Sequence, residues 1–350
     1  MKIFIAKYRG ACLGIQEYAF EPIQRLTELK KRFPWLHFFC YPPAHNRNVV
    51  RMAEMAGISL VKSIADIPPE FDGQAMYIQS AHGGSSSNRS LAGQRGIIFG
   101  DMTCPLVVRN HRLIASYIKR GDDRLAVVIG HAGHQEMIGC LEPEAISSLQ
   151  QRQIILLDPR SKPMLSGEDI RRVRSAAEVV VVTQTTLAKS ETEEAVAFLK
   201  PLLPKRFIDG IGRCGATTSR QEALIDLIDR CGVDTVLVVG DIQFFKSSNT
   251  TRLVEIAQQR GVKTRCTIDT DSVDPSWFVD TKILGITAGA SVLPKDFDAV
   301  IELVQSLTSG ELVQHEFSAT TEQMSTKARD AEFERIEFEL EQRVLAHSKK

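Results

Sequence analysis

The chain has 350 residues, 43% of them hydrophobic, and its 43 Lys and Arg balance 43 Asp and Glu to a net charge of zero. That length exceeds one hydrophobic core and implies two or three domains. A neutral balance argues against nucleic-acid and membrane-surface partners, which select basic faces, and apolar runs such as Val179-Val180-Val181-Val182 are strand-sized, far below the roughly 18 residues of a spanning helix.

In chain order, strands are predicted at 2–6, 37–41, 75–81, 96–100, 125–130, 153–158, 178–184, 235–240, 262–268 and 282–289. Helical periodicity occupies 21–33, 47–57, 219–232 and 251–261. Short apolar strands alternating with amphipathic helices predict an α/β fold with parallel sheets and crossover connections. Ligands of such sheets gather at the carboxyl ends of the strands. Breaks near Gly93–Gly96 and Pro201–Pro204 divide the chain into three similar lobes, 1–96, 97–203 and 204–309, followed by a tail, 310–350. In that tail Phe333, Ile336, Leu340 and Val344 recur at helical spacing among glutamates, which predicts an amphipathic helix docked on the body or on a partner. The chain opens directly on a strand with no secretory pattern. Its seven scattered cysteines suit a reducing cytoplasm rather than a disulfide framework.

Three cysteines stand apart. Cys12, Cys104 and Cys214 each follow a strand at the same place in successive segments. Each is followed by a polar cluster after a second strand: His45, then His131 and His134, then Ser247, Ser248 and Asn249. A third strand in each segment ends in His82, in Thr185-Thr186 or in Ser291. A polar constellation repeated three times implies related units converging on one centre, and three thiolates on one centre imply a metal site with an open position. Zinc usually asks for four ligands and close cysteine pairs, which are absent. An iron–sulfur cluster accepts distant cysteines and a Cys-Pro pair, as in Cys104-Pro105. The other four, Cys40, Cys140, Cys231 and Cys266, read as small buried hydrophobes.

The segment His131 to Glu136 resembles a helical zinc-hydrolase motif only superficially, because that motif places its glutamate between two histidines on one helix face. Here the glutamate follows both. Imidazoles, hydroxyls, amides and helix starts together suit an oxyanion such as a diphosphate. Glu136 is then the lone carboxyl group among donors, where a general acid is expected.

The motifs RGACLGI, HNRNVV, SAHG, DMTCPLV, GHAGHQE, TQTTL, CGATTSRQEA, KSSNTTRL and GITAGAS resemble, in this order, those of the 4-hydroxy-3-methylbut-2-enyl diphosphate reductases of the LytB type. The resemblance runs from about Met1 to Ser291. It implies three α/β lobes around a central 4Fe-4S cluster held by Cys12, Cys104 and Cys214, with one iron open. It implies reductive removal of an allylic hydroxyl, giving isopentenyl and dimethylallyl diphosphate at the end of the non-mevalonate isoprenoid route, with electrons from a donor such as ferredoxin or flavodoxin. Carried over by residue, His45, His82, Ser247, Ser248, Asn249 and Ser291 resemble the diphosphate cradle. His134 contacts the same group and supports proton delivery, Glu136 is the proton source, and Thr185 or Thr186 completes the relay.

The departures from the pattern are Ala11, Leu13, Met102, Gln135, Gly215 and a longer loop carrying Phe244 and Phe245. They bear on the pocket wall and on donor docking, and remove no ligand and no acid. Two alternatives stand beside the reductase: a paralogue acting on a related allylic diphosphate, and a non-catalytic iron–sulfur sensor. Glu136 and the threonine pair favour an enzyme, since a sensor has no use for a proton relay.

Overall fold

The computed structural model describes residues 1–42, 46–144, 146–187, 189–210, 214–243, 249–313 and 327–347, excluding the side chains of 189, 328 and 345–347. Its strands are β1 (Lys2–Ile5), β2 (His37–Cys40), β3 (Ile58–Leu60), β4 (Ala75–Gln79), β5 (Ile98–Asp101), β6 (Arg124–Ile129) and β7 (Ile154–Leu157). They continue with β8 (Glu178–Thr183), β9 (Phe207–Gly210), β10 (Thr235–Val239), β11 (Lys263–Thr267), β12 (Ile283–Ala288) and β13 (Glu311–Val313). These strands form three sheets, ordered β3-β2-β4-β5, β7-β6-β8-β9 and β11-β10-β12-β1-β13. Every pairing between them is parallel. The α/β expectation with parallel sheets holds.

All ten predicted strands are present. The three that the sequence did not signal, β3, β9 and β13, each lie at a sheet edge. A parallel strand covered on both faces reads as an unbroken apolar run, as Val179 to Val182 do with at most 2% exposure. The strands β9 and β13 lack such cover: Phe207 of β9 is 47% exposed and Leu312 of β13 is 44% exposed.

Sheet membership runs one strand out of step with the thirds drawn from the sequence. The first strand, β1, pairs with β12, setting Lys2 opposite Ile283 and Ile5 opposite Ile286. The strand β5 completes the first sheet beside β4, and β9 completes the second beside β8. The breaks near Gly96 and Pro204 therefore fall just ahead of the fourth strand of a sheet. Gly and Pro mark a turn, but a turn does not reveal which strand the next one will pair with. Each four-strand set has the same order, second-first-third-fourth, and each special cysteine follows a fourth strand: Cys104 after β5, Cys214 after β9, Cys12 after β1.

The chain divides into two compact units. One, comprising 1–23, 42–56 and 215–325, carries the third sheet; the other, comprising 24–41, 57–214 and 326–350, carries the first and second. In the former, Leu224, Leu227 and Leu253 pack with Val236 and Val238 of β10. In the latter, Ile114, Tyr117 and Ile118 cover one face of the second sheet, while Leu165, Val173, Ala195 and Leu199 cover the other. Each such aliphatic side chain contributes about 1.5–3 kcal/mol when fully buried. The tail forms the expected helix, Lys327–His347, docked on its own unit through the buried Phe333, Ile336 and Leu340. Val344, predicted on the same stripe, is 38% exposed. Among the described residues no helix is long and apolar enough to cross a membrane.

Candidate active site

In the second sheet the chain leaves β6 toward β7 on one side and toward β8 on the other, so the carboxyl ends of β6 and β8 flank a topological switch point. Two turns meet there. After β6 comes the helix Gln135–Leu141, capped by His134, whose Nδ1 accepts the Glu136 backbone N–H at 3.2 Å. That bond leaves the neutral ring's proton on Nε2. Gly130 makes the close approach possible, since a Cβ there would stand 2.3 Å from Met137 Sδ. After β8 comes Thr185, whose backbone N–H donates to Glu136 Oε1 at 2.8 Å and whose hydroxyl donates to Oε2 at 2.9 Å.

Glu136 is only 1% exposed. Burial pushes its carboxyl group up to about 7, although the two Thr185 hydrogen bonds pull the other way. Desolvation outweighs them, and the result is a carboxylic acid poised to donate near neutral pH. Thr185 has a third role: its carbonyl accepts the Cys214 N–H at 3.1 Å. Two residues earlier, the Thr183 carbonyl accepts Asn110 Nδ2 at 3.0 Å, and Asn110 lies on the helix Pro105–Ile118 that Cys104 caps. The end of β8 thus ties together the acid, the backbone of Cys214 and the helix after Cys104. Neither Asn110 nor this hub was legible in the sequence.

The sequence left Thr185 and Thr186 as alternatives. Thr185 is the one on Glu136, whereas the Thr186 hydroxyl accepts Gln184 Nε2 at 2.8 Å. Gln184 Oε1 accepts the His131 N–H at 3.0 Å, and His131 Nε2 pairs with Glu191 at 3.0 Å. His131 precedes the helix that begins at Gln135, so the two histidines do not share a helix face and the zinc-hydrolase arrangement is absent.

The first sheet repeats the plan with its switch between β2 and β4. His82, after β4, meets Ser80 Oγ through Nδ1 at 3.3 Å. Its ring stands edge-on to Tyr41, 6.5 Å away, and to His134, 6.0 Å away. His82 and His134 are therefore brought together. Tyr41, which the sequence did not single out, is hydrogen-bonded by the Gln135 side chain, and burial raises its phenol. His45 lies outside the described residues.

The third sheet switches between β10 and β12. Asn249 opens the helix Asn249–Gln259, and its Oδ1 accepts the Ala290 N–H at 3.2 Å, which links the two strand ends. The Asn249 Nδ2 is buried with no hydrogen-bond partner among the described residues. Gly289 allows this approach, since a Cβ there would lie 2.0 Å from Thr250 Oγ1. Ser291 follows, 7% exposed. Asn46 was missed: it is fully buried, its Oδ1 caps the Asn48 N–H at 2.8 Å, and its Nδ2 has no hydrogen-bond partner among the described residues. An Asn just before the periodic run Arg47–Met55 is a capping signal that would have found it. Ser247, Ser248, Phe244 and Phe245 lie outside the described residues.

The seven cysteines fall into two classes. Cys12 and Cys104 are helix N-caps, and Cys214 immediately precedes the helix Gly215–Cys231. Cys12 Sγ accepts the Ile15 N–H at 3.4 Å. The positive end of a helix favours a thiolate, and all three are partly exposed. Of the other four, Cys40 and Cys140 are buried as expected, whereas Cys231 and Cys266 are only partly buried; desolvation pushes the thiols of Cys40 and Cys266 up to about 12, raises Cys140 well above its ordinary value and raises Cys231. Among the described residues no group of three His, Cys, Asp or Glu side chains is close enough to hold a metal ion.

The model of the LytB protein family matches residues 3–305. The chain belongs to the LytB family. Two LytB relatives are a 4-hydroxy-3-methylbut-2-enyl diphosphate reductase 2 of Mycobacterium bovis, 32% identical over 91% of each chain, and the corresponding reductase of Haemophilus influenzae. The latter is 35% identical over 88% of this chain and 89% of its own. In fold, the chain is similar to the E-1-hydroxy-2-methyl-but-2-enyl-4-diphosphate reductase of Plasmodium falciparum. That match has a TM-score of 0.75 at 22% identity and covers 96% of this chain and 99% of the other. Of the departures from the LytB motifs, Met102 is fully buried and so forms no part of a pocket wall. Ala11 and Leu13 are half-buried, and Gly215 is exposed.

Proposed function

We infer that this chain reduces 4-hydroxy-3-methylbut-2-enyl diphosphate, removing its allylic hydroxyl as water with two electrons and two protons to give isopentenyl and dimethylallyl diphosphate. The observation that carries this reading is the buried Glu136 carboxyl group, raised to about 7 and clasped by Thr185 at a strand-end switch point. Glu136 delivers the proton to the departing hydroxyl. Thr185 holds the carboxyl group in place, and Thr186 fixes Gln184 behind it.

The anion is read by donors. His134 presents Nε2–H because Nδ1 is already occupied, His82 stands beside it, and Asn249 offers an Nδ2 that has no partner among the described residues. Ser291 completes the described part of this set, and His45, Ser247 and Ser248 join it by resemblance. Each charge-assisted hydrogen bond to a diphosphate is worth roughly 1.5–3 kcal/mol.

Cys12, Cys104 and Cys214 are the thiols suited to hold a 4Fe-4S cluster, because each stands at a helix start, whereas desolvation raises the other four thiols and disfavours their thiolates. Bound there, such a cluster supplies electrons and an open Lewis-acidic iron. A small redox protein such as ferredoxin or flavodoxin is the proposed electron source, and the cytoplasm the proposed location.

The test is anaerobic purification with iron and sulfide analysis, followed by turnover under one chemical reductant. The five-carbon hydroxy-diphosphate, a bulkier allylic diphosphate and the free five-carbon diol are compared. Turnover of the first with little on the diol is expected. Activity only on the bulkier compound makes the chain a paralogue, and a cluster without turnover makes it a sensor. Equal activity on the diol overturns the anion cradle.

A further inference from the structure

The strand that leads to Cys104 has an outer edge. Met102 N–H turns inward to the Gln79 carbonyl of β4 at 3.0 Å, so by the alternation of a parallel strand the Phe99 carbonyl and the Asp101 N–H point away from β4. In the third sheet the equivalent strand, β1, is flanked on that side by β13, with Ile3 opposite Leu312. Among the described residues no strand lies on that side of β5. The C-terminal helix lies there instead, beyond the residues that match the LytB model.

Two of its side chains meet the strand's free groups. Glu332 Oε1 accepts the Asp101 N–H at 2.8 Å, and Arg335 Nη2 donates to the Phe99 carbonyl. The pair is locked together, Arg335 Nη2 to Glu332 Oε1 at 2.9 Å and Arg335 Nε to Oε2 at 3.0 Å. One acceptor and one donor, three residues apart on a helix face, do what the N–H and C=O of a neighbouring strand residue would do. Further along, Arg343 Nη1 donates to the Gly96 carbonyl at 2.7 Å. The apolar face holds the helix at that distance: Ile336 Cδ1 would lie 3.0 Å from a Cβ on Gly100.

From Asp101 the constraint passes along a short, fully bonded path. Asp101 Oδ1 accepts both the Thr103 N–H at 3.0 Å and the Thr103 hydroxyl at 2.6 Å. The Cys104 N–H donates to the Ala81 carbonyl at 3.1 Å, one residue before His82. We propose that Glu332 and Arg335 are positioning residues for Cys104: as a side-chain substitute for a fifth strand, they fix the Asp101–Cys104 turn and so the thiol's place.

The proposal rests on the cluster reading for its consequence but not for its geometry, so the experiment has two arms. The first uses the metal-free full-length protein and follows amide hydrogen exchange. E332A should speed exchange at residues 101–104 by about tenfold or more while leaving Val127 in the second sheet unchanged. The second uses the anaerobically loaded protein and follows loss of its visible chromophore to an iron chelator. E332A should lose it several-fold faster than wild type, E332Q should restore near wild-type retention because its amide oxygen still accepts the Asp101 N–H, and R335K should fall between. Wild-type exchange and retention in E332A overturn the proposal. So does an E332Q as labile as E332A, which would make charge rather than the accepted hydrogen bond the operative feature. A wild-type protein that takes up no iron defeats the cluster reading alone, and the exchange arm still decides the clamp.

Discussion

The second and third sheets place opposite chemistry on the same scaffold. In both, a helix start after the first strand of the set meets a turn after the third, across the switch point. In the second sheet the meeting is Glu136 with Thr185, a carboxyl group taking two hydrogen bonds in a dry setting. In the third it is Asn249 with Ala290, an amide whose oxygen is occupied and whose Nδ2 has no partner among the described residues. On the proposed function, the first arrangement stores a proton and the second reads a negative charge. What differs is the side chain and its desolvation, since the strand order, the helix start and the enabling glycine recur.

The comparison can be broken most sharply through the cysteine that each sheet contributes. Changing Cys12, Cys104 or Cys214 to Ser should abolish the cluster chromophore, since a harder oxygen replaces a thiolate, while the same change at Cys40, Cys140, Cys231 or Cys266 should leave it. Iron and absorbance measurements on the seven variants decide. Next in size is Glu136→Gln, which keeps shape but carries no carboxyl proton. Turnover should fall about a hundredfold to ten-thousandfold with inorganic diphosphate inhibition little changed; near-normal turnover would move the proton source elsewhere.

Asn249→Ala should do the reverse. It removes one charge-assisted bond of roughly 1.5–3 kcal/mol, weakening substrate or diphosphate binding by about ten- to a hundredfold with a smaller effect on kcat. A kcat loss equal to that of Glu136→Gln would erase the division of labour.

The smallest expected effect is on stability. Burial raises Glu136 from 4.5 to about 7, so between those values the folded chain keeps a proton that the unfolded chain has released. The stabilisation is complete below about 4.5 and is lost as pH rises through about 7. Denaturant midpoints of the metal-free protein should therefore decline between pH 5 and 7 more steeply in wild type than in Glu136→Gln. Parallel curves would mean that the carboxyl group is not desolvated.

The α/β class, ten of the strands, the tail helix and the identities of the residues singled out were legible in the amino-acid sequence. This is because burial on both faces of a parallel strand writes an unbroken apolar run, and because a helix stripe writes a period. The edge strands β3, β9 and β13 left no such trace. The chain also could not announce that β1 closes the last sheet rather than opening the first, because hydrogen bonds between main chains are blind to side-chain identity. That pairing, and the second-first-third-fourth order it completes, sets a switch point in each sheet. Strand pairing is therefore what brings Thr185 rather than Thr186 to Glu136, joins Asn110 and Cys214 to the same strand end, and sets Glu332 and Arg335 against β5. Each of these is a contact between segments far apart in the chain, fixed by which strands lie side by side.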